Sequence, residues 1–206
     1  MYTAFKYLKN ERRDLMPLPK ENKKYTYAEY LTWPENEQWE LFDGVPYMQA
    51  APSWQHQAVS GELYRQFANY LQGKECQAFA SPFDLRLPNG EELDEETANV
   101  FQPDIAVICD KNKLKGTGYF GTPTLIIEIS SPATSRVDRV IKFNKYEKAG
   151  VKEYWIVDPE GKYVNIFTLQ EDGRYGRPEA YTDINKVQVS VFPDLTIDLS
   201  QVFASI

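Results

Sequence analysis

Histidine and cysteine are scarce in this sequence: one histidine, His56, and two cysteines, Cys76 and Cys109, among 206 residues. That scarcity excludes a zinc cluster and a disulfide framework of the kind that staples small secreted folds. Two isolated cysteines read as reduced, buried thiols, which fits a cytoplasmic protein. Long apolar runs are missing as well. No stretch reaches the roughly 18 residues a membrane-spanning helix needs. The opening MYTAFKYLKNERRDLMPLPK interleaves charges with aromatics and shows no segment of signal-peptide character. Basic residues are outnumbered, 23 Lys and Arg against 30 Asp and Glu, for a formal net charge of −7. A broad surface that coats nucleic acid normally shows as basic excess, so none is expected here, although a local basic face remains compatible. The hydrophobic share of 42% and aromatic share of 14% suffice for a packed interior. The length suits one domain, read as residues 25–206 behind a flexible arm of residues 1–24.

Along the chain, Thr26 is placed to cap a short helix that Trp33-Pro34 ends. Asp43-Gly44 between two apolar-rich runs (38–42 and 45–50) predicts a β-hairpin. Apolar residues Val59, Leu63, Phe67, Tyr70 and Leu71 at three- and four-residue steps predict a helix over 53–72, closed by Gly73. Three strands are expected next, over 76–87, 100–109 and 125–129, the first two separated by the acidic loop PNGEELDEETAN. The connection over 110–123 carries three glycines but lacks the Gly-Lys-Ser/Thr of a phosphate-binding loop. A helix over 135–150 with Gly150 as cap, a strand EYWIVD, a turn and a returning strand follow. The tail adds a strand near 188–191 and FPDLTIDLSQVF, whose end reads as a short helix. The order is that of an α/β sandwich with a mixed sheet.

Two carboxylates stand out. Asp104 opens an otherwise apolar strand, and Glu128 interrupts a run of isoleucines. A buried carboxylate is costly unless paired or bound to metal, and two at the ends of adjacent strands suit Mg²⁺, a hard ion that takes oxygen ligands and keeps waters. The alternative is structural: Glu128 pairs with a lysine and Asp104 caps a turn after Pro103. Asp138, Lys142 and Tyr146, spaced by four, share one helix face, where an exposed Asp138–Lys142 ion pair would be the plain expectation.

Pro103-Asp104 followed by Glu128-x-Ser130 resembles the PD-(D/E)XK, or restriction-endonuclease-like, superfamily, and departs from it where Ser130 replaces the motif lysine. Six further segments resemble a large bacterial family of restriction-endonuclease-like proteins. They are WELFDG, APSWQHQ, QPDIAVICD, GTPTLIIEISSP, KFNKYEKAGVKEYWIVDP and FPDLTIDL, and they span most of the chain from about residue 26. The resemblance implies an αβββαβ core with a mixed central sheet flanked by helices, with an N-terminal hairpin and a C-terminal β extension. It implies a Mg²⁺-dependent endonuclease, with Mn²⁺ as a possible substitute, acting on DNA as a homodimer. Asp104, Glu128 and the Ile129 carbonyl would hold the metal. The lysine would come from the following helix, which points to Lys142 with Lys145 as second candidate. Asp84, Glu40 and His56 are further candidates for the catalytic set, and Glu62 a weaker one that a solvated position would equally explain. Ser130 and Ser131 lack a histidine at motif spacing and are not expected to act as nucleophiles. The competing expectation is a catalytically inactive nuclease fold that binds nucleic acid or assembles with a partner. A basic groove built from Arg65, Arg86, Lys111, Lys113, Arg136 and Arg139 would separate the two.

Overall fold

The computed structural model describes residues 23–34, 36–132 and 134–206; most of the expected N-terminal arm, residues 1–22, lies outside them. Helix α1 (Tyr27–Tyr30) leads to the hairpin β1 (Trp39–Phe42) and β2 (Val45–Met48), then to the long α2 (Trp54–Leu71). Strands β3 (Gln77–Ala80), β4 (Asp84–Arg86), β5 (Val100–Phe101) and β6 (Ile105–Ile108) follow, then the small hairpin β7 (Leu114–Lys115) and β8 (Gly118–Phe120), and β9 (Leu125–Ile129). A π-helical segment, Val137–Lys142, runs directly into α3 (Phe143–Ala149). The chain ends with β10 (Glu153–Asp158), β11 (Tyr163–Thr168), β12 (Glu179–Thr182), β13 (Lys186–Val189), β14 (Phe192–Asp198) and α4 (Leu199–Val202). The mixed α/β architecture expected from the sequence is present.

Two compact units form. One comprises the described residues up to Ala50 with Arg86–Phe101, the other Ala51–Leu85 with Gln102–Ile206. In the first, β1 pairs antiparallel with both β2 and β5. Asp43 and Gly44 turn the hairpin with φ of 50° and 80°, the left-handed pair that a two-residue turn requires. Tyr25, Tyr27, Trp33, Leu41 and Val100 form its small core.

The second unit is built on a six-stranded mixed sheet in the order β12-β11-β10-β9-β6-β3. β9 pairs parallel with β10 and antiparallel with β6, and the helical crossover between β9 and β10 is what a parallel pair demands. Alternation along the strands divides the two faces. Leu125, Ile127, Ile129, Ile105, Val107, Trp155 and Val157 point to one face, where Val59, Leu63, Phe67 and Leu71 of α2 cover them. Each such fully buried side chain contributes about 1.5–3 kcal/mol. Glu128, between Ile127 and Ile129, therefore emerges on the other face, the one that presents Tyr154 and meets Tyr146 of α3.

Four expectations need correction. The expected strand 76–87 is two strands, β3 and β4, with a cis Ser81–Pro82 bond between them; proline has no N–H to continue a ladder. The expected strand 100–109 likewise splits into β5 and β6 around Gln102-Pro103-Asp104, and the connection 110–123 contains the β7–β8 hairpin. Cys76 and Cys109 are not thiols but a disulfide. The β3–β6 register pairs Gln77 with Ile108, so one further step sets the two cysteines opposite each other.

Candidate active site

The ladder between β6 and β9 pairs Ile105 with Ile127, and one further step brings Asp104 opposite Glu128. Asp104 Oδ2 accepts the Ile129 N–H at 2.7 Å and lies 3.2 Å from His56 Nε2. His56 is supplied by the first turn of α2. Ser53 caps that helix, its side chain accepting from the His56 N–H, so the cap fixes the turn that presents the ring. Burial pulls the imidazole pKa down, but the hydrogen bond and charge of Asp104, the charge of Asp138 and the Ile129 backbone outweigh it and raise the pKa above its ordinary value. His56 Nδ1 is buried without a hydrogen-bond partner.

From the other face, the crossover helix delivers three side chains. Lys142 Nζ donates to Glu128 Oε1 at 3.0 Å, and Tyr146 OH donates to the same oxygen at 2.8 Å. Asp138 Oδ1 lies 3.9 Å from Lys142 Nζ. The hydroxyl of fully buried Tyr154 donates to the Asp138 backbone carbonyl. Burial first, and then the nearby charges of Glu128 and Asp138, hold that phenol well above its ordinary pKa. Glu128, Asp138 and Lys142 are each only 3% exposed. The Asp138–Lys142 pair is thus buried, not the exposed pair that helical spacing suggested. The segment carrying both is a π-helix, a form that recurs at functional sites.

The structure therefore gathers Asp104, Glu128, Ile129, His56 and Lys142. One structural alternative weighed from the sequence is also realised, because Glu128 does pair with a lysine; Asp104 ties down the Ile129 N–H on the neighbouring strand, not a turn after Pro103. Lys145 is half-buried on the same helix. Asp84 is committed locally, accepting from Gln102 Nε2 at 3.1 Å and Thr117 Oγ1 at 2.5 Å. Glu40 is buried on β1 opposite Tyr47, within the other compact unit. Glu62 is held by Arg65 and Gln66, not simply solvated. Asp138 and Tyr146 are the members that sequence reading underused; their spacing of four from Lys142 was the available signal.

The donor set fits Mg²⁺. Two carboxylates and a backbone carbonyl are hard oxygen ligands. Among the described residues no three His, Cys, Asp or Glu side chains converge into a metal-holding group; Mg²⁺ is commonly held by one or two carboxylates and waters. Three of the residues expected to build a basic groove have local partners. Arg65 pairs with Glu62, Arg86 is buried with Asp94 and Tyr27, and Lys113 lies near Asp110. Lys111 and Lys113 follow the end of β6 opposite to Asp104. Arg136 and Arg139 flank Asp138, with Arg139 donating to the Tyr163 hydroxyl.

Residues 27–200 match the Uma2 family model, described as Putative restriction endonuclease. An uncharacterized protein of Synechocystis sp. is 31% identical over 153 residues, covering 73% of this chain and 77% of the relative. A solved structure from Anabaena variabilis, described as a putative nuclease belonging to DUF820, superposes with a TM-score of 0.71 at 20% identity. The match covers 87% of this chain and 97% of that one. At that identity the likeness establishes the fold. Taken with the extent of the family match, it leads to one conclusion: the chain belongs to the Uma2 family of putative restriction endonucleases.

Proposed function

We propose that this protein is a Mg²⁺-dependent endonuclease that hydrolyses phosphodiester bonds in DNA, with Asp104 and Glu128 at the reacting centre. The observation that carries it is the convergence of two carboxylates from neighbouring strands with a buried lysine from the crossover helix. Asp104, Glu128 and the Ile129 carbonyl would hold the ion. Mg²⁺, when bound, supplies Lewis acidity at the phosphate and makes a water more acidic. Lys142 places an ammonium where charge develops on the phosphate, in surroundings that keep it desolvated and oriented. His56, hydrogen-bonded to Asp104, keeps that carboxylate oriented and offers a proton-transfer group at the site's edge. Tyr146 fixes the Glu128 rotamer. Cutting both strands would call for two copies, so the reading includes a homodimer.

Cleavage of single- and double-stranded DNA with Mg²⁺ or Mn²⁺ tests this directly. Asp104→Ala and Lys142→Ala are each expected to lower turnover by about 100-fold or more. Retained activity in both would show that the site lies elsewhere. A second reading, a nuclease fold that binds without cutting, draws on the acidic balance of the sequence and on Ser130 standing in place of the motif lysine. It predicts DNA binding with no metal-dependent cleavage in the unmutated protein.

A further inference from the structure

Lys142 sits between two carboxylates of different origin. Glu128 comes from the sheet, and Asp138 from one turn earlier on the lysine's own helix. In the present arrangement the ammonium is hydrogen-bonded to Glu128 at 3.0 Å, whereas Asp138 at 3.9 Å is beyond hydrogen-bond range and attracts by charge. All three are nearly inaccessible to solvent, so the ammonium cannot leave one carboxylate for bulk water without a large penalty. Asp138 is itself held in place, since its backbone carbonyl accepts from Tyr154, which packs edge-on against Tyr146. Its field also reaches the far side of the site, where it acts on His56.

Building on the metal reading above, we propose that Asp138 is a positioning residue, the second seat of the Lys142 ammonium. When Glu128 is taken up by a divalent cation, the ammonium must give up Glu128 Oε1. Rotation of the lysine's terminal torsions then lets it close on Asp138, within the site and beside the ion, instead of competing with it. Without a charge at residue 138, Lys142 loses the attraction that draws it off Glu128, so the ion binds less well although it has lost no ligand.

Calorimetry with Mn²⁺ on the intact chain reads this without relying on activity. Asp138→Asn is expected to weaken Mn²⁺ binding roughly 3- to 10-fold while Lys142 is present, and to change it by no more than about 2-fold in a Lys142→Met background. Asp138→Glu, which keeps the charge, is expected to bind as the unmutated protein does. It also serves as the folded control should Asp138→Asn melt early. Equal losses in both backgrounds would overturn the proposal, because a ligand or a merely structural role does not depend on the lysine. Absence of Mn²⁺ binding in every variant, the unmutated protein included, would overturn the metal reading and this proposal together.

Discussion

Glu153 and Glu128 are both buried glutamates on neighbouring parallel strands, and their surroundings give them different chemistry. Glu128 meets an ammonium and a phenol. Glu153 meets neutral donors instead, among them Trp155 Nε1 at 2.7 Å and the Val191 N–H at 3.0 Å. Burial raises the Glu153 pKa, and those hydrogen bonds lower it without cancelling the rise. A carboxyl whose pKa is higher folded than unfolded stabilises the fold fully below the ordinary value of about 4.3 and loses that contribution as pH rises through the folded value. Thermal melts of the unmutated protein and Glu153→Gln across this range should therefore diverge. The unmutated protein should lose ground to the variant as pH increases, and a pH-independent difference would contradict the shift. Only Glu128 was visible as an intruder in the sequence, because it breaks an isoleucine run, whereas Glu153 opens its strand next to other polar residues. A lysine partner for Glu128 was among the sequence alternatives, whereas the Glu153 contacts could not be read without the packing.

At the level of elements, those whose cause is local were the legible ones. The β1–β2 hairpin follows from Asp43-Gly44, α2 from its apolar spacing, and the end of α3 from Gly150, which adopts φ 83°. The Ser53 cap is local too. Ser53→Ala should cost about 1 kcal/mol in chemical denaturation. Because the capped N–H is that of His56, the variant should also loosen the imidazole, seen as broadened ring resonances. Elements set by tertiary contact were missed. The β7–β8 hairpin exists because Gly118 lies directly against the Asp84 backbone, where a Cβ would stand 1.9 Å from the Asp84 carbonyl oxygen. No sequence pattern announces such an approach. Gly118→Ala must separate the two segments and disturb the Thr117–Asp84 hydrogen bond, at a cost of about 3 kcal/mol; an unchanged denaturation midpoint would mean the approach is not required. The π-helical register of Val137–Lys142 was equally hidden, since its apolar pattern is close to that of an ordinary helix.

For the molecule as a whole, the formal net charge of −7 sets what long-range charge can do. Substrate capture by steering would be weak, and affinity would rest on contacts close to the site. The αβββαβ order and the two central carboxylates were legible because both are written in hydrophobic pattern and its interruptions. The covalent link was not, because two cysteines 33 residues apart have no local signature; they meet only through the β3–β6 register. That link closes a loop containing the cis Ser81–Pro82 bond, β4 and β5, and returns to the far end of the strand that Asp104 begins. Closing a loop of that length removes about 3–4 kcal/mol of unfolded-chain entropy. Thermal unfolding of the unmutated protein should therefore move to lower temperature when a thiol reductant is added, while Cys76→Ser should start from the lower temperature and ignore the reductant. Intact mass after alkylation should differ by two modified thiols between the reduced and untreated samples. Two alkylated thiols without reductant would mean that the cysteines are reduced, as their isolation in the sequence had suggested.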